Sequence, residues 1–332
     1  MKSADMITEK LNSGTVAVLG FGISNRPLVE FLLQKGCKIN VRDAKNAEAL
    51  GEDYIRMKNA GVNFILGEEY LSDIYEDVIF RSPGIRPDMG SIGDAVKRGA
   101  ILTSEMEYFL LLTKAYVIAI TGSDGKTTTT TLTYKLLEEE LRGSNRKVYV
   151  GGNIGRPLLP LVSEMTENDF AVIELSSFQL QTMKNARINR AVITNITPNH
   201  LNWHVDMEEY SAAKANIFAG SETDRLTVNA LMTEHARTVL VLREIQPSSH
   251  ISLFPKSAEK IHRCLKRLTG LSAAVTETKK SLSLTFPILS FRVTTTWKII
   301  WRQFPLRGDL SRKRIFSKLQ KTLEELSTDL NS

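Results

Sequence analysis

The sequence predicts an α/β protein in which two parallel-sheet units follow one another, a Rossmann-like unit and then a P-loop-type unit. Three observations predict it. Short β-branched runs alternate with helical patterns through the first third, as strands with crossover helices do. The alternation restarts at Tyr116–Ile120 (YVIAI), which leads through a glycine-containing turn into a second helical stretch. After Leu231 the pattern fades. At 332 residues the chain exceeds one typical core, so the expected regions are 1–112, 113–230 and 231–332.

In chain order, Thr15–Gly20 (TVAVLG) reads as a strand buried on both faces. Asn25-Arg26-Pro27 reads as an N-cap followed by an early helical proline, and Leu28–Lys35 as an amphipathic helix stopped by Gly36. Lys38–Asp43 is the next strand. A weaker one, Asp77–Arg81, runs into the turn Ser82-Pro83-Gly84, and Ser104–Leu112 is helical. In the second unit Tyr116–Ile120 is a strand and Thr127 to about Leu141 a helix. Further strands are expected at Lys147–Val150, Phe170–Leu175 and Arg190–Ile196. Beyond Leu231 only Arg314–Leu326 has helical periodicity, and no repeat or low-complexity tract appears.

Composition excludes several classes. The apolar fraction of 42% and charged fraction of 24% are ordinary for a globular protein. The longest charge-free apolar stretch, around Ser281 to Phe291, is too short to span a membrane, and residues 1–12 lack the apolar core of a secretory signal. Cys37 and Cys264 form neither a disulfide framework nor a zinc-ligand spacing. A soluble, cytoplasmic monomer is expected. The net charge of +6 is uneven: residues 231–332 hold 18 Lys/Arg against 8 Asp/Glu, leaving 25 against 29 for residues 1–230. These basic residues are scattered among hydroxyl and apolar ones, so an unspecialised or degraded segment is expected ahead of a nucleic-acid surface.

The strongest motif is Thr121-Gly-Ser-Asp-Gly-Lys-Thr-Thr128, placed between a strand and a helix. Backbone N–H groups of Gly122, Ser123, Asp124 and Gly125, with the helix N-terminus at Thr127 and Thr128, can hold phosphate oxygens. Lys126 would neutralise the β/γ-phosphates and the Thr127 hydroxyl would reach Mg²⁺. The loop is shorter than GxxxxGKT, because Ile120 stands where the first glycine belongs. Gly20 and Gly22 also follow a strand, without the third glycine of GxGxxG. Asp43, at a strand end, is either a ribose or uracil partner or a turn residue. Glu174 ends an apolar strand, where a carboxylate can reach a metal at the sheet edge. His200 and His204 are either metal ligands or loop residues, and Lys214 by itself reads as a solvated helix lysine.

The segments LGFGISN, Arg81-Ser-Pro-Gly-Ile85, Ser104-Glu-Met-Glu-Tyr-Phe109, TGSDGKTTT, GGNIG, IELSSFQL, NITPNHLNWH, AAKANIF and TDRLTVNA occur in this order over residues 15–230. Together they closely resemble the Mur ligases of peptidoglycan synthesis, in the branch that adds D-glutamate to UDP-N-acetylmuramoyl-L-alanine. The resemblance implies that the first unit binds a UDP-sugar, with Gly20, Gly22, Asp43 and Ser82, Pro83 and Gly84 as uridine and diphosphate contacts. It implies a muramoyl-side contact at Asn153 and a further substrate contact at Ser176. The second unit would bind ATP, Lys126 holding the transferred phosphate, Thr127 and Glu174 one Mg²⁺, and Glu174 with His200 another. Lys214 matches the lysine that takes up CO₂ as a carbamate, which would make it an anionic ligand beside Mg²⁺. The implied reaction is amide formation through an acyl phosphate, with UDP-N-acetylmuramoyl-L-alanine and D-glutamate as substrates, ATP and Mg²⁺ as cofactors, and neither nucleic acid nor membrane insertion involved. Asn199 and Asn202 replace aspartates of many relatives, and no role is carried onto them.

After Ala230 the family has a histidine-asparagine segment and then a domain binding ADP and D-glutamate; neither is recognisable in this sequence. A truncation or reading-frame change is therefore expected. With it comes an alternative function, a non-catalytic remnant that binds nucleotide or UDP-sugar, with an unpacked tail. An NAD-dependent oxidoreductase, resting on GxG alone, ranks last.

Overall fold

The computed structural model describes residues 3–218 and the backbone of three strands farther along the chain. The first unit runs α1 (Ser3–Ser13), β1 (Thr15–Leu19), α2 (Asn25–Gln34), β2 (Lys38–Asp43), α3 (Ala47–Leu50), α4 (Glu52–Asn59), β3 (Asn63–Leu66), β4 (Val78–Arg81), α5 (Ile92–Lys97), β5 (Ile101–Thr103) and α6 (Glu105–Leu112). Its five strands are parallel in the order β3-β2-β1-β4-β5. The chain leaves β1 toward one edge and returns on the other side of it, which opens a crevice between the C-terminal ends of β1 and β4. The Gly20 loop and Ser82 follow those two ends.

The predicted strands at the centre of this sheet are present because Val16–Leu19 and Val78–Arg81 are buried along their length. One local expectation is corrected. Asn25 does not cap α2; Ser24 precedes the helix in a right-handed helical conformation, and Asn25 is its first residue. The buried Asn25 amide instead donates to the carbonyls of Leu19 (3.2 Å) and Gly20 (2.8 Å), tying the helix start to the end of β1.

The second unit runs β6 (Tyr116–Thr121), α7 (Lys126–Glu140), β7 (Val148–Gly152), β8 (Phe170–Glu174), α8 (Ser177–Leu180), β9 (Arg190–Ile193) and α9 (Met207–Ala215). Its strands are parallel in the order β7-β8-β6-β9. Strand β9 stops three residues short of the expected run, because Thr194 and Asn195 turn away to hydrogen-bond the loop after β6.

A single hydrophobic cluster joins the two units, including Val18, Leu28 and Phe109 from the first and Val117, Leu159 and Ile193 from the second. Two buried polar groups cross the same seam. Arg81 donates to the Phe178 carbonyl (2.8 Å) and the Thr182 hydroxyl (3.1 Å), and one Glu107 oxygen accepts from the amides of Lys184 (2.8 Å) and Asn185 (3.0 Å).

In the third region, β10 (Ala274–Thr278), β11 (Ser281–Phe286) and β12 (Leu289–Phe291) form an antiparallel meander. The helix expected at 314–326 and Cys264 lie outside the described residues. Among the described residues, no helix is long and apolar enough to cross a membrane.

Candidate nucleotide and substrate sites

At the first crevice the loop after β1 is fixed by backbone. Gly20 sits at φ +84°, which disfavours any side chain, and a Cβ there would lie 3.0 Å from that of Ser82, tighter than an ordinary contact. Gly22 faces open space. Asp43 is buried and its carboxylate is already engaged: one oxygen accepts from the Phe21 amide (2.6 Å), the other from the Lys45 amide (2.9 Å). In this position Asp43 shapes the glycine loop and turns the chain after β2, and each oxygen keeps capacity to accept a further hydrogen bond.

The loop after β6 is gripped from the neighbouring strand end. Asn195 accepts from the Asp124 amide (3.0 Å) and donates to the Asp124 carbonyl (2.9 Å), while Thr194 donates to that carbonyl at 2.6 Å. Gly122 has φ +146°, and a Cβ would meet the Thr194 hydroxyl at 1.9 Å. Gly125 adopts the left-handed conformation that starts α7, whose first residue is Lys126. Ser123 is buried, its hydroxyl donating to the Thr197 carbonyl (2.9 Å) and lying 2.9 Å from the Tyr210 hydroxyl. Lys126 folds back to donate to the Ser123 carbonyl (2.8 Å), so its charge rests on its own loop. Thr127 and Thr128 are exposed at the helix start.

Glu174 pairs in register with Ile120 on one side and Gly152 on the other, which puts its carboxylate at the C-terminal edge beside the phosphate loop. It is 1% exposed; one oxygen accepts from the Asn153 side-chain amide (3.0 Å) and the other has no hydrogen-bond partner. A buried carboxylate oxygen left unpaired is costly unless a cation or donor completes it. Lys214, equally buried, donates to the Gly122 carbonyl (2.8 Å) and lies over the Tyr210 ring at 4.7 Å. Burial, with the nearby Lys126 charge, lowers its pKa to about 7. That makes the neutral amine accessible near neutral pH, unlike a solvated helix lysine.

His200 is exposed, with a positive φ of 54°, and its ring meets Phe178 edge-on at 4.9 Å. Partial desolvation and the charges of Lys214 and Lys126 lower its pKa. His204 is buried instead, its Nε2 hydrogen-bonded to the Ser177 hydroxyl at 3.0 Å and its ring stacked on Phe178. Ser176 caps α8 in a reciprocal box with Gln179, and its hydroxyl accepts from the Gln179 amide (3.2 Å).

Among the described residues, no three His, Cys, Asp or Glu side chains gather to hold a metal. The oxygen-rich set at this edge, with Glu174 half-satisfied and the Thr127 hydroxyl on the adjoining helix start, suits Mg²⁺, which keeps water and phosphate oxygens as ligands in place of an all-protein cage. The residues present fit that ion.

A model of the Mur ligase middle domain matches residues 120–292, more than half of the chain. The chain belongs to the Mur ligase family. Curated relatives with the same name, UDP-N-acetylmuramoylalanine–D-glutamate ligase, are similar to it: that of Clostridium novyi is 46% identical over 68% of this chain and 49% of its own length. That of Ruminiclostridium cellulolyticum is 49% identical over 64% of this chain and 45% of its own. The chain thus spans about half the length of the curated Mur ligases it matches. Among solved structures, the Neisseria meningitides UDP-N-acetylmuramate:L-alanyl-gamma-D-glutamyl-meso-diaminopimelate ligase matches at 14% identity with a TM-score of 0.45, covering 82% of this chain and 84% of that one.

The structure adds residues that the sequence reading passed over. Thr194 and Asn195 shape the phosphate loop, Tyr210 backs both Ser123 and Lys214, and Arg81 joins the two units. For Thr194 and Asn195 a signal existed: two hydrogen-bonding side chains directly after a β-branched strand that neighbours the phosphate-loop strand.

Proposed function

We propose that this Mur ligase chain carries the UDP-sugar and MgATP sites for adding D-glutamate to UDP-N-acetylmuramoyl-L-alanine, in the cytoplasm. The carrying observation is the edge where a phosphate loop, a buried carboxylate with one unpaired oxygen and a buried lysine converge. The names of its relatives supply the substrate class.

In this reading Gly20, Gly22 and Ser82–Gly84 receive the uridine diphosphate, and Asp43 holds the loop that does so. Asn153 and Ser176 face the muramoyl-alanine end. Lys126 swings from the Ser123 carbonyl to the transferring phosphate, offsetting negative charge as an alanyl carboxylate oxygen bonds to the γ-phosphorus and ADP leaves. The amine of D-glutamate then attacks the acyl carbon, loses a proton and expels phosphate, forming the amide. Thr127, Glu174, His200 and Lys214 would hold Mg²⁺, which supplies Lewis-acid stabilisation of phosphate charge when bound. Lys214, as a neutral amine, adds to CO₂ and loses a proton to become an N-carboxylate, which turns a cation into an oxygen donor.

The competing reading is a protein that binds these ligands without turnover. D-glutamate-dependent phosphate release from ATP with UDP-N-acetylmuramoyl-L-alanine and Mg²⁺ separates the two. Release lost in Lys126→Ala supports the ligase; no release from folded protein that binds both ligands supports the binding protein.

A further inference from the structure

Arg86, two residues beyond the Ser82–Gly84 turn, reaches out of the first unit into the second. Its guanidinium donates to the Trp203 carbonyl and to a Glu209 oxygen (3.4 Å), and it lies over the Trp203 ring at 5.9 Å. Asp88 accepts from both Nε (2.9 Å) and Nη2 (3.0 Å), so Nη1 is given to the Trp203 carbonyl and Nη2 is shared between Asp88 and Glu209. Glu209 is the hub on that side. It accepts from Gln181 (2.7 Å) and from the Val205 amide (2.6 Å), while Gln181 accepts from the Trp203 indole at 3.3 Å.

This network closes around one backbone position. His200 is one of two described non-glycine residues with positive φ, a conformation that persists only where surroundings impose it. Its carbonyl accepts from the amides of Trp203 and His204, both at 3.0 Å, and its own amide donates to the Asn199 side chain at 2.8 Å. Phe178 packs against the rings of both His200 and Trp203, at 4.9 and 4.8 Å. Holding the Trp203 carbonyl therefore holds the turn that gives His200 its conformation.

We propose that Arg86 is a positioning residue that couples the two crevices, so that settling the Ser82–Gly84 turn settles the His200 loop. The hydrogen-bond path Arg86, Trp203, His200 is the physical link. Its consequence for ligands, cooperative binding of the UDP-sugar and Mg-nucleotide, rests on the function proposed above. Arg is suited to the task because one planar group contacts a carbonyl, a carboxylate and an aromatic face together, which a lysine cannot do.

The test uses the full-length chain as wild type, Arg86→Ala, Arg86→Lys and Glu209→Gln, each checked for intact folding by circular dichroism. Hydrogen–deuterium exchange is followed without ligand at the Trp203 and His204 amides. Exchange about tenfold faster in Arg86→Ala, partly restored in Arg86→Lys and unchanged at the Thr129 amide of the phosphate-loop helix, is expected. Unchanged exchange at Trp203 and His204 in both Arg86→Ala and Glu209→Gln overturns the proposal. Calorimetric titration of MgAMP-PNP with and without saturating UDP-N-acetylmuramoyl-L-alanine is the second arm. A wild-type affinity gain of about fivefold or more, abolished in Arg86→Ala, is expected; a gain that survives Arg86→Ala overturns the coupling. Wild-type protein that binds neither ligand refutes the proposed function instead, and the exchange arm alone then decides the clamp.

Discussion

The two crevices share a parent geometry, a glycine-bearing loop after a central parallel strand, yet they treat their carboxylates in opposite ways. In the first, Asp43 has both oxygens taken by backbone amides. In the second, Glu174 keeps one buried oxygen unpaired, and two lysines rest on loop carbonyls. The first edge is electrostatically complete and suits recognition by shape and hydrogen bonds. The second leaves a buried Glu174 oxygen without a hydrogen-bond partner, and under the proposed function a cation and phosphate complete it. Stability is expected to reside in one carboxylate and function in the other.

The largest effect expected from probing this contrast is at the loops. Gly122→Ala puts a Cβ within 1.9 Å of the Thr194 hydroxyl at a φ of +146°. A loss of about 3 kcal/mol or more in chemical denaturation is expected, together with loss of MgAMP-PNP binding. Gly22→Ala meets nothing within 4 Å, so its denaturation midpoint stays within about 0.5 kcal/mol of wild type.

Next come the carboxylates, with opposite signs. Asp43→Asn replaces an acceptor facing two amides and should destabilise by about 2 kcal/mol. Glu174→Gln removes a buried charge with an unpaired oxygen. It should raise the melting temperature of the ligand-free protein by a few degrees, while Mg²⁺ no longer strengthens AMP-PNP binding. Two destabilised variants would erase the distinction between the edges.

The seam between the units titrates. Glu105 is buried with one oxygen unpaired, and burial raises its pKa to about 7. The folded state therefore holds its proton more tightly than the unfolded one. That contribution is complete below the ordinary carboxyl pKa and is lost as pH rises through about 7. Glu105→Gln should flatten the fall in stability between pH 5 and 8, leaving the variant on the order of 2 kcal/mol more stable than wild type at pH 8. The smallest effect is expected at Ser104, whose hydroxyl accepts from the Glu107 amide at the start of α6. Ser104→Ala should cost about 1 kcal/mol in urea denaturation.

Much of this was legible in the sequence because β1, β4, β6 and β8 carry apolar runs and β2 alternates Ile39 and Val41 with polar residues. Strands β3 and β5 were not, being short and only partly buried, so they lack both a buried run and clean alternation. Asn25 misled because a cap residue and a core hydrogen-bonding residue look identical before a proline-bearing helix start. At the candidate site, Lys126, Glu174 and Lys214 do gather at one sheet edge. Residue pattern alone identified Lys126 and Glu174, whereas Lys214 required the family resemblance, since nothing in SAAKANIF announces burial. Asn195, Arg81 and Arg86 act through contacts 71 to 117 residues distant in the chain, which no local pattern encodes.

The common core that unites the two sheets has a consequence for selectivity. With Arg81 and Glu107 pinned across the seam, the span between the first crevice and the phosphate loop is set like the jaws of a gauge. Under the proposed function, a ligand anchored by its uridine presents its far carboxylate at the second jaw only if its length matches. An analogue longer or shorter by one peptide unit would be held firmly and yet arrive out of reach of the phosphate.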